Sequence, residues 1–468
     1  MTLASVILCN YNGMRIAHVL RNSVESVLQQ TYGDLELILV DDGSTDGSPA
    51  FLQELAAADP RARFVSTGWN RGIAAARNAG LSSARGAYLA FLDNDAIPAR
   101  DWLSILVERL RSDRAIGACA SRVMFADRPD IVDSVGSVLN RLAYGTNVGM
   151  HELAEFLELP QELMYATGNG MAVRREAIEK VGLFDEGYHR YGEDDSDMGV
   201  RLRAAGYRIV PEPRALISHL HGYSRTHPGM TFWEERNRIR FVLKHYTWYE
   251  WPRFAIGELL SHNRSALRAY AAAWLSNLTS RRDLAPLLRY RWEHRRDGSF
   301  LARQAPFMDS VHGYLVRPDN RTPGPAGFPP LGGLEIGVDD QPYLYQGWYS
   351  PEPLKHTRLR FRWARRVASL SFRLEEPADR LEMQTLVPPR GGGRLQAQLR
   401  QQDGTAWRVT GQAHWQLAPQ PFARQRLVFP GPIEPGNYRL LLLADKAFRE
   451  GGETPRELAL GLISLAAQ

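Results

Sequence analysis

The 468-residue sequence predicts an α/β protein with a mostly parallel, doubly wound sheet in its first half and an all-β, sandwich-like domain at its end. Three observations predict this fold class. Strand-like and helix-like segments alternate up to about residue 224, which is typical of a sheet covered by helices. The apolar run 86–92 ends at two carboxylates, Asp93 and Asp95, as a buried strand ends at a polar site. From Leu334 onward apolar residues recur with a period of two, the period of strands.

The chain divides into four predicted segments. Residues 1–231 form the α/β domain, and residues 232–316 form a helical extension that is basic and aromatic. Residues 317–333 are rich in proline and glycine and read as a linker. Residues 334–468 form the β-sandwich-like accessory domain, because short alternating segments are separated by Gly, Pro and Asp turns.

The first elements of the α/β domain end in polar turns. Residues 4–12 read as a first strand that runs into a turn, and a second strand, 36–40, runs into the acidic turn 41–46. Residues 70–72 then precede a helix predicted over 73–83. Ligands of open α/β sheets bind outside the carboxyl ends of the strands. We therefore expect a ligand site where these turns meet.

The triplet Asp93-Asn94-Asp95 permits two interpretations. Two carboxylates one residue apart suit a hard divalent cation, which takes oxygen ligands. The same triplet is also ordinary turn chemistry. Its neighbours along the chain favour the metal site.

An ordered series of motifs extends over roughly the first half of the chain. The series comprises Val6-Ile7 with Tyr11-Asn12, Gln30-Thr31, Val40–Asp46, Asn70–Gly72, Leu92–Asp95, Thr167–Gly170, Arg174-Arg175, Gly182–Glu186, Glu193–Asp197 and Gly206-Tyr207. In these motifs the chain resembles inverting family 2 glycosyltransferases of the GT-A fold, of the bacterial type with an appended C-terminal β domain. The resemblance implies a metal-dependent enzyme that moves a sugar from a nucleotide-diphosphate donor to a hydroxyl group.

The resemblance also implies a donor-binding set. Its members are Cys9, Tyr11, Asp42, Asn70, Arg77, Asp93 and Asn94. Asp42 matches the residue that accepts a hydrogen bond from the pyrimidine ring, which favours a UDP- or dTDP-sugar. Alternatively, Asp42 only shapes its turn, and Arg77 is a surface residue of its helix. Cys9 stands where the family often has threonine or another small residue.

For the metal, the resemblance implies Asp95 as a direct ligand, with Asp93 beside it. His219 and His221 resemble the downstream histidine that completes the site in relatives, and alternate positions on a strand face one side. Imidazole favours Mn²⁺ over Mg²⁺, and either ion is expected as the cofactor. The alternative places both histidines on a solvated edge.

The acidic run 193–197 carries the predicted general base. Crowded carboxylates raise one another's pKa, which suits a base. The family motif aligns so that Asp195 is the base, with Asp194 as the second candidate. Alternatively, these acids only complement the dipole at the N-terminus of a helix.

Composition and motifs bear on the location of the protein and on other classes of function. Only Cys9 and Cys119 are present, too few for a disulfide framework. No secretory signal and no apolar span of membrane length are visible, so we expect a cytoplasmic protein. No nucleic-acid-binding module is recognisable, and nucleic acid is not an expected partner. A sugar-phosphate nucleotidylyltransferase would carry a Gly/Arg/Lys loop after the first strand, where residues 10–13 read Asn-Tyr-Asn-Gly. A non-catalytic carbohydrate-binding protein with a decayed transferase domain is a further alternative.

Two hypotheses concern the acceptor side. Residues 232–296 hold 13 Lys and Arg against 6 Asp and Glu, interleaved with aromatic residues. This pattern suits either peripheral contact with the inner face of a membrane or a packed helical layer. In the β domain, Trp348, Tyr349, Trp407 and Trp415 are candidates for a sugar platform that would hold a glycan or lipid-linked acceptor, or else core residues.

Overall fold

The computed structural model resolves the chain into two compact units. Unit 1 comprises residues 1–150 and 158–311, and unit 2 comprises residues 151–157 and 312–468. In the first 311 residues the structure describes 2–190, 192–220, 230–252, 254–256, 267–294 and 300. Beyond them it describes 331, 334–335, 344–348, 352–353, 360–387, 393–404, 406–418, 424–445, 448–449, 457–458 and 460–467. The helical stretch after residue 231 thus falls into unit 1 as far as it is described.

Unit 1 is built on a nine-stranded mixed sheet. The strands of the unit are β1 (Ala4–Asn10), β2 (Leu35–Asp41), β3 (Ala62–Ser66), β4 (Tyr88–Asp93), β5 (Ala96–Pro98), β6 (Ile116–Phe125), β7 (Arg128–Ser134), β8 (Ser137–Leu139), β9 (Gly145–Asn147), β10 (Met171–Arg174) and β11 (Arg208–His219). The sheet order is β3-β2-β1-β4-β10-β6-β11-β5, with β7 beside β6, while β8 and β9 form a separate hairpin. The first four strands are parallel, and β10 runs antiparallel to both of its neighbours.

Unit 1 also contains the following helices. They are α1 (Ala17–Leu28), α2 (Ser48–Ala57), α3 (Ile73–Ser83), α4 (Trp102–Ser112), α5 (Arg175–Val181), α6 (Asp194–Ala204), α7 (Met230–His245), α8 (Leu267–Thr279) and α9 (Arg281–Glu293). Every residue of β1 and β2 is buried, as expected for parallel strands covered on both faces. Because β1, β2 and β4 are parallel neighbours, their carboxyl ends reach one edge together. The predicted α/β class is confirmed.

The basic residues of α7 are internal. Arg236, Arg238, Arg240 and Lys244 are each at most 7% exposed. Arg240 and Lys244 donate to Asp185 at 3.0 and 2.8 Å, and the Arg236 guanidinium donates to the Gly187 carbonyl at 2.8 Å. These cations are therefore paired with groups inside unit 1, as in the packed-layer interpretation, and are not available to lipid. Among the described residues, no helix has the length and hydropathy to cross a membrane.

Unit 2 is dominated by one antiparallel sheet of ten strands, which confirms an all-β C-terminal domain. The strands of the unit are β12 (Leu334–Glu335), β13 (Leu344–Trp348), β14 (Glu352–Pro353), β15 (Arg360–Leu374), β16 (Ala378–Leu386), β17 (Gly393–Asp403), β18 (Ala406–Leu417), β19 (Arg424–Ile433), β20 (Gly436–Ala444), β21 (Phe448–Arg449), β22 (Glu457–Leu458) and β23 (Leu460–Ala467). A Cβ atom on Gly411 of β18 would lie 3.0 Å from the Phe429 ring of β19, although these strands end the main path of the sheet. The sheet therefore curls and buries one face upon itself.

The predicted aromatic platform is only partly described. Trp415 packs against the core of unit 2, and the Arg439 guanidinium lies 4.2 Å from the centre of the Trp407 ring. Tyr349 and the side chain of Trp348 lie outside the described residues. Both described candidates are half-buried, so carbohydrate binding by this unit stays a prediction.

Candidate active site

A cleft of about 730 Å³ opens at the carboxyl ends of β1, β2 and β4. The predicted site residues that line it are Cys9, Tyr11, Asp42, Asn70, Arg77, Asp93, Asn94, Asp95, Asp194, Asp195 and His219. These residues come from seven places in the chain between positions 9 and 219. His221 lies outside the described residues. The cleft therefore brings these predicted residues together, and their roles in it stay predictions.

Two residues hold the strand ends together. Asn10, at the end of β1, donates to Asp41 Oδ1 at 3.0 Å and accepts from the Asn94 amide at 2.7 Å. Asp41 is fully buried and accepts a hydrogen bond from the Ser44 backbone N–H at 2.9 Å. The side-chain amide of Asn94 is thus engaged with the first strand, and Asp41 with its own turn.

Asp42 lies at the next position and faces the cleft. Its carboxylate accepts hydrogen bonds from the backbone N–H groups of Arg71 at 3.0 Å and Gly72 at 2.8 Å. The Thr67 hydroxyl donates a third at 2.9 Å. Gly72 has φ of +93°, and a Cβ atom there would lie 2.7 Å from the Arg190 nitrogen, so the turn requires glycine. Burial raises the pKa of Asp42 despite these donors.

Cys9, Tyr11 and Asn70 line the same part of the cleft. Cys9 is 7% exposed, and burial raises the pKa of its thiol to about 12. It is therefore a neutral, small side chain at neutral pH. Tyr11 and Asn70 are half-buried, with side chains at the cleft wall.

Four acidic or imidazole groups lie near the end of β4. Asp95 Oδ1 lies 3.3 Å from Nε2 of His219, the last residue of β11. Nδ1 of the same ring lies 2.7 Å from Asp133 Oδ2. Burial opposes protonation of the ring, but hydrogen bonds to Asp133 and Asp95 prevail and raise the pKa of His219 to about 10. Asp93 keeps 37% of its side chain exposed, 4.0 Å from Arg77, and burial within the cleft raises its pKa.

This group fits a divalent cation in donor chemistry. Two ligands at adjacent corners of an octahedral ion with bonds of about 2.1 Å are about 3 Å apart, close to the Asp95–His219 separation. The second ring nitrogen of His219 is held by a carboxylate, as is usual for metal-binding histidines. Within the described ranges, no three His, Cys, Asp or Glu side chains already converge as a complete ligand set. The fit therefore rests on the pair Asp95 and His219, with Asp93 nearby.

The two candidate bases of α6 differ in their partners. Asp194 is 2% exposed and forms an ion pair with the buried Arg77. Asp195 is half-buried at the cleft wall and accepts from the backbone N–H groups of Gly168 at 3.0 Å and Ser196 at 2.9 Å. Burial and then the charge of Asp194 raise the pKa of Asp195 to about 6. Arg77 is thus buried and paired with Asp194, which excludes the alternative of a surface residue, and its part in donor binding stays a prediction.

Gly168, in the glycine-rich segment 167–170, leaves space for a neighbouring side chain. A Cβ atom on Gly168 would lie 1.8 Å from the Arg77 guanidinium, so only glycine leaves room for that buried arginine. Its N–H also binds Asp195. The segment therefore places the Arg77–Asp194 pair and Asp195 side by side.

Asp197, the last acid of the run, is fully buried and structural. It lies 2.7 Å from the Lys244 ammonium, 2.8 Å from the Arg201 guanidinium and 2.8 Å from His245 Nε2. Burial alone would raise its pKa, but Lys244 and Arg201 hold the pKa well below its usual range. The contacts join α6 to α7, which brings Trp233 to the cleft.

Several cleft residues were not predicted from the sequence. They are Asp133, Tyr144, Arg190, Glu193, Trp233, Glu234 and Arg238, among others. The acidic run included Glu193 without giving it a role; burial raises its pKa to about 8. Asp133 and Tyr144 belong to the segment between β6 and β10, where no motif was recognised. Trp233 was noted only for its aromatic character.

Comparisons with known proteins agree with this architecture. Residues 5–182 match the family model described as glycosyl transferase family 2, and residues 150–224 match the model described as the N-terminal domain of galactosyltransferase. An uncharacterized glycosyltransferase of Nostoc sp. is 31% identical over 182 residues, which cover 39% of this chain and 53% of the relative. Succinoglycan biosynthesis protein ExoO of Rhizobium meliloti is 29% identical over 205 residues, which cover 42% of this chain and 56% of the relative. The chain thus spans only about half of either relative.

Among solved structures, GalNAc-T7 with UDP, GalNAc and Mn²⁺ matches with a TM-score of 0.51. The sequences are 18% identical, and the match covers 71% of this chain and 60% of that chain. At this identity the likeness shows the fold, which is of the GT-A type.

Proposed function

We propose that the protein is a metal-dependent, inverting glycosyltransferase, because residues 5–182 match the family model described as glycosyl transferase family 2. It would transfer a sugar from a nucleotide-diphosphate donor to a hydroxyl of a glycan, glycolipid or glycoprotein in the synthesis of polysaccharide or cell-surface glycan. One observation carries the proposal: a single cleft holds the Asp95–His219 pair and the carboxylates of Asp42 and Asp195.

Asp42 is the proposed contact for the donor base. A carboxylate has about four acceptor positions, and three protein donors use three of them. The remaining position can accept the ring N–H of uracil or thymine, which cytosine lacks. We therefore favour a UDP- or dTDP-sugar. Tyr11, Asn70 and the neutral thiol of Cys9 would enclose the nucleoside at the same wall.

Asp95 and His219 are the proposed metal ligands, with Asp93 beside them, and the ion would be Mn²⁺ or Mg²⁺. When bound, such a cation neutralises charge that develops on a diphosphate leaving group. The protein's own contribution is to hold Asp95 Oδ1 and His219 Nε2 close together and to retain Asp93 at the cleft surface. A nitrogen ligand favours manganese.

Asp195 is the proposed general base, in preference to Asp194. Among the described residues, a cation contacts Asp194 directly but none contacts Asp195, and the Asp195 pKa of about 6 leaves it ionised but basic at neutral pH. It would take the proton of the acceptor hydroxyl as the donor diphosphate departs on the far side of the sugar ring. The inverting outcome is what membership of the family implies.

A donor panel tests the proposal. UDP-, dTDP- and GDP-sugars are incubated with the full chain and Mn²⁺, and released nucleotide diphosphate and thermal shift are measured. We expect slow hydrolysis and stabilisation with a uridine or thymidine donor, both lost in EDTA. Asp127→Asn is the control, because the Asp127 side chain is 61% exposed. Absence of hydrolysis and of any shift with every donor would contradict the proposal.

A further inference from the structure

We propose that Asp133 is a positioning residue of the metal site: it holds the His219 ring so that Nε2 faces Asp95, and thereby sets the affinity for the cation. This inference rests on the proposed function, because it gives His219 a metal to bind. The residues form a row in which Asp95 Oδ1 is 3.3 Å from His219 Nε2, and Asp133 Oδ2 is 2.7 Å from Nδ1.

Asp133 reaches His219 across an intervening strand. β6 lies between β7, which carries Asp133, and β11, which ends at His219. β7 runs antiparallel to β6, and β11 runs parallel to it. The sheet therefore fixes the two residues on either side of the end of β6.

An irregularity in the ladder directs the Asp133 side chain. Ser134 pairs with Val123, but the next pair joins Val132 to Met124, so Asp133 is one extra residue at a shift in the register. An inserted residue of this kind is a β-bulge, which bends the strand and re-aims a side chain, often beside active sites. The resulting Asp133 side chain is 6% exposed and contacts the ring of His219.

The chemical consequence is a choice of tautomer. A neutral imidazole has one N–H and one lone pair, and a carboxylate accepts only from an N–H. With Asp133 at Nδ1, that nitrogen keeps its proton when the ring is neutral, so Nε2, which lies beside Asp95, is the nitrogen left to bind a cation. Without Asp133, the ring can rotate and can carry its proton on Nε2, which cannot then bind a cation. Loss of such a partner typically lowers metal affinity by about 10- to 100-fold.

Binding of Mn²⁺ alone tests this role. Free Mn²⁺ is followed by electron paramagnetic resonance as it is titrated into the full chain, with and without UDP. Asp133→Ala should raise the Kd for Mn²⁺ by about 10- to 100-fold, and Asp133→Asn, whose amide oxygen can still accept from Nδ1–H, should recover part of the loss. Asp127→Asn, just before the same strand, is the matched control and should bind as the wild type does.

A double substitution separates positioning from direct ligation. In a His219→Ala background, Asp133→Ala should cause no further loss, because the residue it orients is already gone. An undiminished further loss would make Asp133 a ligand in its own right and overturn the positioning role. Wild-type affinity in folded Asp133→Ala would overturn the inference and leave the proposed function standing. Absence of Mn²⁺ binding by the wild type, with and without UDP, would overturn both.

Discussion

Substitutions of Asp194 and Asp195, the two adjacent acids at the start of α6, should affect different properties, stability in one case and transfer in the other. Asp195→Asn keeps the shape of the side chain but cannot accept the proton of the acceptor hydroxyl. Asp194→Asn removes the ionised partner of the buried Arg77. We therefore expect the first variant to fold and bind nucleotide but to lose transfer, and the second to lose stability.

The contacts of the two acids allow the fall in kcat and in Tm to be estimated. General-base catalysis contributes about 10²- to 10⁴-fold, so kcat of Asp195→Asn should fall by that factor. Asparagine retains one oxygen for the two backbone donors, Gly168 and Ser196, at a cost of about 1 kcal/mol. Breaking a buried ion pair costs about 3–5 kcal/mol. In a unit of this size that lowers Tm by about 5–10 °C for Asp194→Asn, against about 2 °C for Asp195→Asn.

Calorimetry and a transfer assay at several pH values measure both effects. In the wild type the rate should fall as pH decreases through about 6, because Asp195 becomes protonated there. That limb should be absent from the residual activity of Asp195→Asn. Near wild-type turnover in Asp195→Asn would refute the assignment. Loss of turnover in Asp194→Asn without a fall in Tm would move the base to Asp194.

Further perturbations address the metal, the α6–α7 junction, the membrane and the β domain. Asp95→Ala should abolish Mn²⁺-dependent donor binding and turnover together, and full metal-dependent turnover by folded Asp95→Ala would exclude Asp95 as a ligand. Asp197→Ala should lower the free energy of unfolding by about 3–5 kcal/mol in denaturant titration, because the buried Arg201 loses its carboxylate partner and Lys244 loses one of two; a change below about 1 kcal/mol would contradict that role. If the exposed Trp248 meets lipid, the protein should pellet with anionic liposomes at low salt and less so as Trp248→Ala; no pelleting removes the membrane hypothesis. Deletion of residues 334–468, in protein shown to be folded by circular dichroism, should spare donor hydrolysis and weaken transfer to long acceptors more than to short ones; an equal loss for both would favour a structural role.

The sequence predicted the cleft where strand ends carry recognisable motifs. Asp42, Asp93 and Asp95 follow apolar strands, and parallel pairing brings those ends to one edge whatever the loops do. The histidine at the end of β11 was predicted from its motif, and the structure places His219 beside Asp95. The positions could be predicted because a parallel sheet brings the carboxyl ends of its strands to one edge, while the roles of the side chains there stay predictions.

Contacts between distant segments could not be predicted in the same way. Arg77 and Asp194 are 117 residues apart, and nothing in either segment identifies the other as its partner. Asp133 reaches His219 only through an irregular register, which a pattern of period two does not reveal. The charge excess after residue 231 was compatible with an exposed basic surface or with a packed layer, and Arg240 and Lys244 are buried against Asp185. A count of charges does not distinguish a solvated cation from one that is paired inside.

The partners of the acidic run explain how carboxylates can be crowded at the start of one helix. Arg77 compensates Asp194, and Lys244 with Arg201 compensates Asp197, so the two buried ions are stabilised by separate cations. Asp195 lies between them, with no cation in direct contact in the described part of the chain, and burial followed by the charge of Asp194 raises its pKa. Arg77 also lowers the pKa of Asp195, so the same arginine both neutralises Asp194 and limits the basicity of its neighbour. The basicity of the proposed catalytic group therefore depends on a buried pair that takes no part in the transfer itself.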